Sequence, residues 1–69
     1  MPLVRIDMVG GRPPELVRTL IDRLHTTVVD TLHVPSASVT VIVTEVAAEH
    51  WASGGTTKAE QRAQQPHTA

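Results

Sequence analysis

Pro2 stands directly after the initiator Met1 and directly before an alternating apolar run, Leu3-Val4-Arg5-Ile6-Asp7-Met8-Val9. Removal of Met1, usual when the next residue is small, makes Pro2 the amino terminus and gives it a free secondary amine. An amine on a rigid ring, anchored at the start of a strand, can serve as a general base once its pKa is brought near neutrality. A free α-amine titrates near pH 8, and proline's secondary amine is more basic than that average. Apolar surroundings and a neighbouring cation both disfavour the ammonium form. Val4 and Ile6, which share the parity of Pro2, offer the first effect, and Arg12 offers the second. Arginine also has a planar fork that pairs both oxygens of a carboxylate at once. Each residue has a plainer reading. Proline is tolerated at the first position of a strand. Arg12 also reads as a solvated loop residue, although a cation beside a helix N-terminus is slightly unfavourable.

The elements that must position these groups follow from periodicity. Residues 3–9 alternate, with Val4, Ile6 and Met8 on one face and Leu3, Arg5, Asp7 and Val9 on the other. Gly10-Gly11 breaks that strand. Pro14 suits the first position of a helix, and Glu15 complements the positive end of its dipole. Leu16, Val17, Leu20, Ile21, Leu24, Val28, Val29 and Leu32 recur at spacings of three and four, forming one broad apolar stripe. Pro35 ends the helix near His33. Ser38–Glu45 is rich in β-branched residues and reads as a second strand. Strand, long helix and strand make an α/β fold, a single β-α-β unit with parallel strands and a right-handed crossover. Residues 46–50 read as a linker, and Gly54-Gly55 as a tight turn or short hairpin carrying Trp51. The domain is expected to occupy residues 1–55, with a frayed polar tail over 56–69.

Composition sets the limits. Sixty-nine residues make one small domain, and small chains bury proportionally little surface. No cysteine is present for a disulfide or thiolate metal site. Trp51 is the one aromatic residue, yet 41% of the chain is hydrophobic, too apolar for disorder. Two strands and one helix leave a sheet face uncovered, so the chain is expected to oligomerise. A net charge of −1 argues against nucleic acid, which needs a basic face. No run is long enough to span a bilayer and no signal peptide is visible, so a cytoplasmic location is expected. His25, His33, His50 and His67 lack the spacing of a metal site, and no metal is expected. His25 reads as a helix-surface or interface residue, and His33 as a residue of the helix C-terminus.

With these residues in order, the chain resembles the tautomerase superfamily, in particular its 4-oxalocrotonate tautomerase branch. The likeness covers roughly residues 2–55 and rests on Pro2, the Gly11-Arg12 pair, Leu20-Ile21, Pro35, Val39-Thr40-Val41-Ile42-Val43-Thr44-Glu45, His50-Trp51 and Gly54-Gly55. The resemblance implies dimers that share one sheet and three dimers in a homohexamer. It implies cofactor-free keto–enol chemistry on a small α-keto acid, with Pro2 as catalytic base and Arg12 binding the substrate carboxylate. Trp51 matches an aromatic position that walls the pocket; it reads equally well as a hydrophobic plug of a subunit interface.

One departure matters. The family pattern usually places a second arginine where this chain has Thr40. A hydroxyl can donate one hydrogen bond to substrate but cannot stabilise a developing enolate as a cation does, a difference of about 10²–10³ in rate by comparison with removed oxyanion donors. Arg5 or Arg12 of another subunit is a possible substitute. Two other readings follow: different Pro2 chemistry, as general acid for a hydration or as an iminium-forming nucleophile, or a non-catalytic subunit in a hetero-oligomeric ring.

Overall fold

Alternation in residues 3–9 and 40–46 builds a sheet with one face toward a helix and the other toward solvent. In a computed structural model, which describes residues 1–64, β1 spans Leu3–Val9, α1 Pro14–Leu32 and β2 Thr40–Val46. The strands are parallel and in continuous register from Leu3 opposite Thr40 to Val9 opposite Val46. This is the expected β-α-β unit. Val4, Ile6, Met8, Val41 and Val43 lie half-buried on the helix side, while Leu3, Arg5, Asp7, Thr40, Ile42 and Thr44 are exposed on the other.

Helix α1 begins as its prolines dictate. Pro13 sits in an extended conformation with φ −58° and ψ 141°, and Pro14 occupies the first turn, where its missing N–H costs nothing. The main-chain carbonyl of Pro13 accepts from Leu16 N–H at 3.0 Å. Val17, Leu20, Ile21, Leu24, His25, Val28 and Val29 are its half-buried residues. Leu16 and Leu32, at the two ends of the apolar stripe, remain more than half exposed at 56% and 55%. His33 closes the helix in the left-handed conformation, φ 56°, its N–H donating to Val29 O at 2.9 Å.

The second strand starts later than its β-branched run suggests. Ser38 belongs to a 3-10 turn over Ser36–Ser38, where its N–H and its hydroxyl both bond to Pro35 O, at 3.0 and 2.7 Å. Those bonds take Ser38 out of the ladder. The strand also runs one residue beyond Glu45, because Val46 O accepts from Gly10 N–H at 2.8 Å. The expected linker contains a second 3-10 turn, Ala48–His50.

Beyond it, β3 (Ala52–Ser53) and β4 (Thr56–Thr57) form the hairpin, with Ser53 directly opposite Thr56. Gly54 and Gly55 carry φ of 61° and 82°, as a two-residue turn matching the strand twist requires. A frayed tail from Thr56 is not what the structure shows over the described residues. Lys58–Gln64 forms α2. Its start is a capping box: Thr57 N–H donates to Glu60 Oε1 at 2.9 Å, and Glu60 N–H to Thr57 Oγ1 at 3.1 Å. The spacing Thr57-Lys58-Ala59-Glu60 carries that signal in the sequence. Residues 65–69, including His67, lie outside the described residues.

None of the described residues is fully buried. The radius of gyration is 15.9 Å, against about 11 Å for a compact chain of this length. Helix α1 covers one face of the sheet and leaves Leu3 58% and Ile42 37% exposed on the other. Among the described residues, no helix is long and apolar enough to cross a membrane.

Thr57→Ala removes one half of the capping box and is expected to lower stability by about 1 kcal/mol. Thermal unfolding followed by circular dichroism at fixed protein concentration measures it; an unchanged melting curve would show that α2 adds nothing to the fold.

Candidate active site

Strand β1 joins the two groups of chemical interest and also separates them. Pro2 lies at its start, on the helix side, with its carbonyl accepting from Thr40 N–H at 3.0 Å. That bond fixes the backbone of Pro2 to the sheet. Thr40 is therefore beside Pro2 along the main chain, but alternation sends its side chain to the opposite face, in register with Leu3. The two side chains do not line one pocket within a protomer.

Arg12 lies past the other end of β1. Gly11 precedes it with φ 116°, a backbone conformation that side-chain-bearing residues rarely adopt, and this turns the chain back over the strand end. Arg12 Nη1 donates to Val9 O at 2.9 Å, which leaves the rest of its fork available. The seven residues of β1, at about 3.3 Å each, put roughly 23 Å between this end and Pro2. Pro2 and Arg12 of one protomer cannot contact one substrate.

A groove of about 370 Å³ opens at the Arg12 end, lined by Arg12, Pro14, Val17, Val43 and Glu45. Residue type alone does not single out Glu45. Its parity with Val41 and Val43 places it on the helix side of β2 at the strand's end, opposite Met8. That periodicity was the available signal. Trp51 follows the Ala48–His50 turn, half-buried, and its carbonyl accepts from Lys58 N–H at 2.7 Å, which ties the base of the hairpin. Since β2 runs toward the Gly10 end, the hairpin follows from the same end of the sheet as Arg12.

Among the histidines, His25 faces inward from α1, its Nε2 within 3.0 Å of Ser36 Oγ and 3.1 Å of Ser36 O. It joins the helix to the first 3-10 turn. Among the described residues, no three His, Asp or Glu side chains gather as metal ligands.

The chain is similar to known proteins in both sequence and fold. A family model described as tautomerase enzyme matches residues 2–61. A probable tautomerase from Ralstonia nicotianae is 41% identical over 58 residues, covering 84% of this chain and 83% of that relative. The 2-hydroxymuconate tautomerase of Pseudomonas putida is 38% identical over 55 residues, covering 80% of this chain and 87% of that enzyme. Among solved structures, a 4-oxalocrotonate tautomerase homologue of the tomaymycin biosynthetic pathway superposes with a TM-score of 0.85. Its sequence is 40% identical, and the match covers 91% of this chain and 97% of that one. The chain belongs to the tautomerase family and has the fold of the 4-oxalocrotonate tautomerase homologues.

Proposed function

We propose that this chain is a cofactor-independent keto–enol tautomerase acting on a small enol or unsaturated α-keto acid, with Pro2 as general base after removal of Met1. The observation that carries this reading is the placement of Pro2 at the very start of an ordered strand, hydrogen-bonded to β2 through its carbonyl. Met1 is 99% exposed, so the bond that masks the Pro2 nitrogen is accessible. With Met1 attached, that nitrogen is a tertiary amide with no basic lone pair.

In the proposed reaction the amine takes the proton of the enol hydroxyl and returns a proton to carbon, leaving the overall composition unchanged. Half-buried Val4 and Ile6 on the same face disfavour the charged ammonium and keep the base available. Arg12 holds the substrate carboxylate. Because β1 keeps Arg12 away from Pro2 of its own chain, the working site combines the Pro2 of one subunit with the Arg12 of another. Trp51, on the Arg12 side, closes that site against water. The assembly is a homohexamer built from sheet-sharing dimers, in keeping with a protomer that buries no residue fully.

Charge at the site points away from dicarboxylates. Thr40 is uncharged where the family pattern has an arginine. Its side chain leaves the sheet on the face away from Pro2, so a further subunit would contribute it. Glu45 puts a negative charge, like that of a carboxylate substrate, beside Arg12. A substrate with one carboxylate fits this balance better than one with two. A relative in a biosynthetic pathway supports a specialised substrate. The uncharged Thr40 also favours, as a second reading, Pro2-dependent hydration or iminium chemistry.

Ketonisation of an aryl enolpyruvate, followed by ultraviolet absorbance with protein shown by mass to lack Met1, tests the central role. Pro2→Ala is expected to lose about 10²–10⁴ in kcat/KM; equal rates would overturn the assignment. The wild-type rate should rise with pH as the amine loses its proton and then level off, and Pro2→Ala should lack that limb. Thr40→Arg is expected to raise kcat/KM for a dicarboxylate by about 10² while changing the monocarboxylate rate far less. An equal effect on both would remove Thr40 from substrate selection.

A further inference from the structure

The hairpin brings a cation to the side of Trp51. Ala52 lies opposite Thr57 and Ser53 opposite Thr56, and Lys58 N–H donates to Trp51 O at 2.7 Å, which extends that register by one pair. Trp51 is itself extended, with φ −109° and ψ 109°. Residues directly opposite in an antiparallel pair share a face, as do alternate residues along each strand. Trp51, Ser53, Thr56 and Lys58 therefore make one face of the hairpin, and Ala52 and Thr57 the other. That first face combines the one tryptophan of the chain with two hydroxyls and an ammonium. Trp51 and Lys58 are both half-buried.

Helix stability does not account for this cation. Lys58 opens α2, where the helix dipole mildly disfavours positive charge. Its Nζ donates to Gln61 Oε1, a neutral acceptor, at 3.2 Å. An ammonium has three donors, and that bond uses one. Glu60, two residues on, is engaged elsewhere: its Oε1 accepts from Thr57 N–H in the capping box.

We infer that Lys58 is a further catalytic residue, its ammonium stabilising the negative charge that develops on the substrate oxygen as enol becomes ketone. This rests on the tautomerase reading above, in which Trp51 closes the site, since the surface that Trp51 reaches is one that Lys58 reaches with it. Removal of the enol proton by the Pro2 amine leaves charge on that oxygen until carbon is protonated. In that reading Arg12 is occupied by the carboxylate, and Thr40 offers a neutral hydroxyl. Lys58 donates a hydrogen bond to the oxygen and keeps its own proton, so the proton balance of the reaction is unchanged. A fixed cation aimed at developing charge favours the transition state over the ground state. The plainer role is a lysine stem packed over an indole ring, which needs the length of the side chain more than its charge.

Inert anions separate charge from packing. The enolate of a one-carboxylate substrate is a dianion; oxalate carries the same two charges, and oxamate replaces the second with a neutral amide. Lys58→Met keeps an unbranched stem and good helix propensity but no charge. By isothermal titration calorimetry, wild-type protein lacking Met1 should bind oxalate about tenfold or more tightly than oxamate. Lys58→Met should lose that preference while binding oxamate as before. With an aryl enolpyruvate, Lys58→Met should lower kcat by about 10², and Lys58→Arg should recover most of it. Added ethylammonium should raise the rate of Lys58→Ala saturably, which a packing role does not give. A wild type without preference for oxalate, a Lys58→Met protein that keeps the preference, or one with full ketonisation rate would each overturn the proposal. An oxalate preference that depends on Lys58, in a protein without ketonisation activity, would count against the tautomerase reading and leave the anion site beside Trp51 standing.

Discussion

The parallel pairing of β1 with β2 is the constraint on which the rest depends. Parallel strands need a crossover, and here that crossover is α1, whose nineteen residues return the chain to the Pro2 end before β2 begins. Both strands therefore start beside Pro2 and finish beside Arg12. One helix covers one face, the other face stays open, and no described residue is fully buried. Chemistry and stability are thus short of the same thing. In the proposed reading, a second chain both brings a cation to the Pro2 amine and covers the open sheet face.

Local choices agree with that need. Pro2 is held to the sheet by its carbonyl, which leaves its nitrogen uncommitted to the ladder. Gly11, with a backbone conformation that disfavours side chains, turns Arg12 so that one donor anchors on Val9 O and the rest of the fork faces the groove. In the proposed reading this anchoring partly pre-organises Arg12 for a substrate carboxylate, which reduces the entropy lost on binding. Glu45 lines that groove on the other strand and tempers its positive charge.

Much of this was legible in the residues. Strict alternation in Leu3–Val9, the proline-led start of α1 and the glycine pair at 54 and 55 each report a local rule that the fold obeys. Pattern and structure part where side-chain hydrogen bonds override periodicity. Ser38 has neighbours of strand type, yet its hydroxyl caps a 3-10 turn. Thr56–Gln64 has the polar composition of a frayed tail, yet Thr57 and Glu60 cap each other and start a helix. Residue type points to Pro2, Arg12, Thr40 and Trp51 as candidates but carries no information on their separation. That Pro2 and Arg12 stand at opposite ends of one strand was implicit in the β-α-β order; that Thr40 faces away from Pro2 follows from register. Glu45 was hidden because a single carboxylate at a strand end carries no motif.

The claim that the site is built from two chains has a direct test in mixing inactive variants. Pro2→Ala and Arg12→Ala proteins, each processed to remove Met1 and each inactive alone, are combined, dissociated and reassembled together. A mixed dimer then holds one site with an intact Pro2 from one chain and an intact Arg12 from the other. Recovery of ketonisation activity, rising with the fraction of mixed dimer seen by native mass spectrometry, is the predicted result. Mixed dimers that form fully and remain inactive would contradict a site shared between subunits.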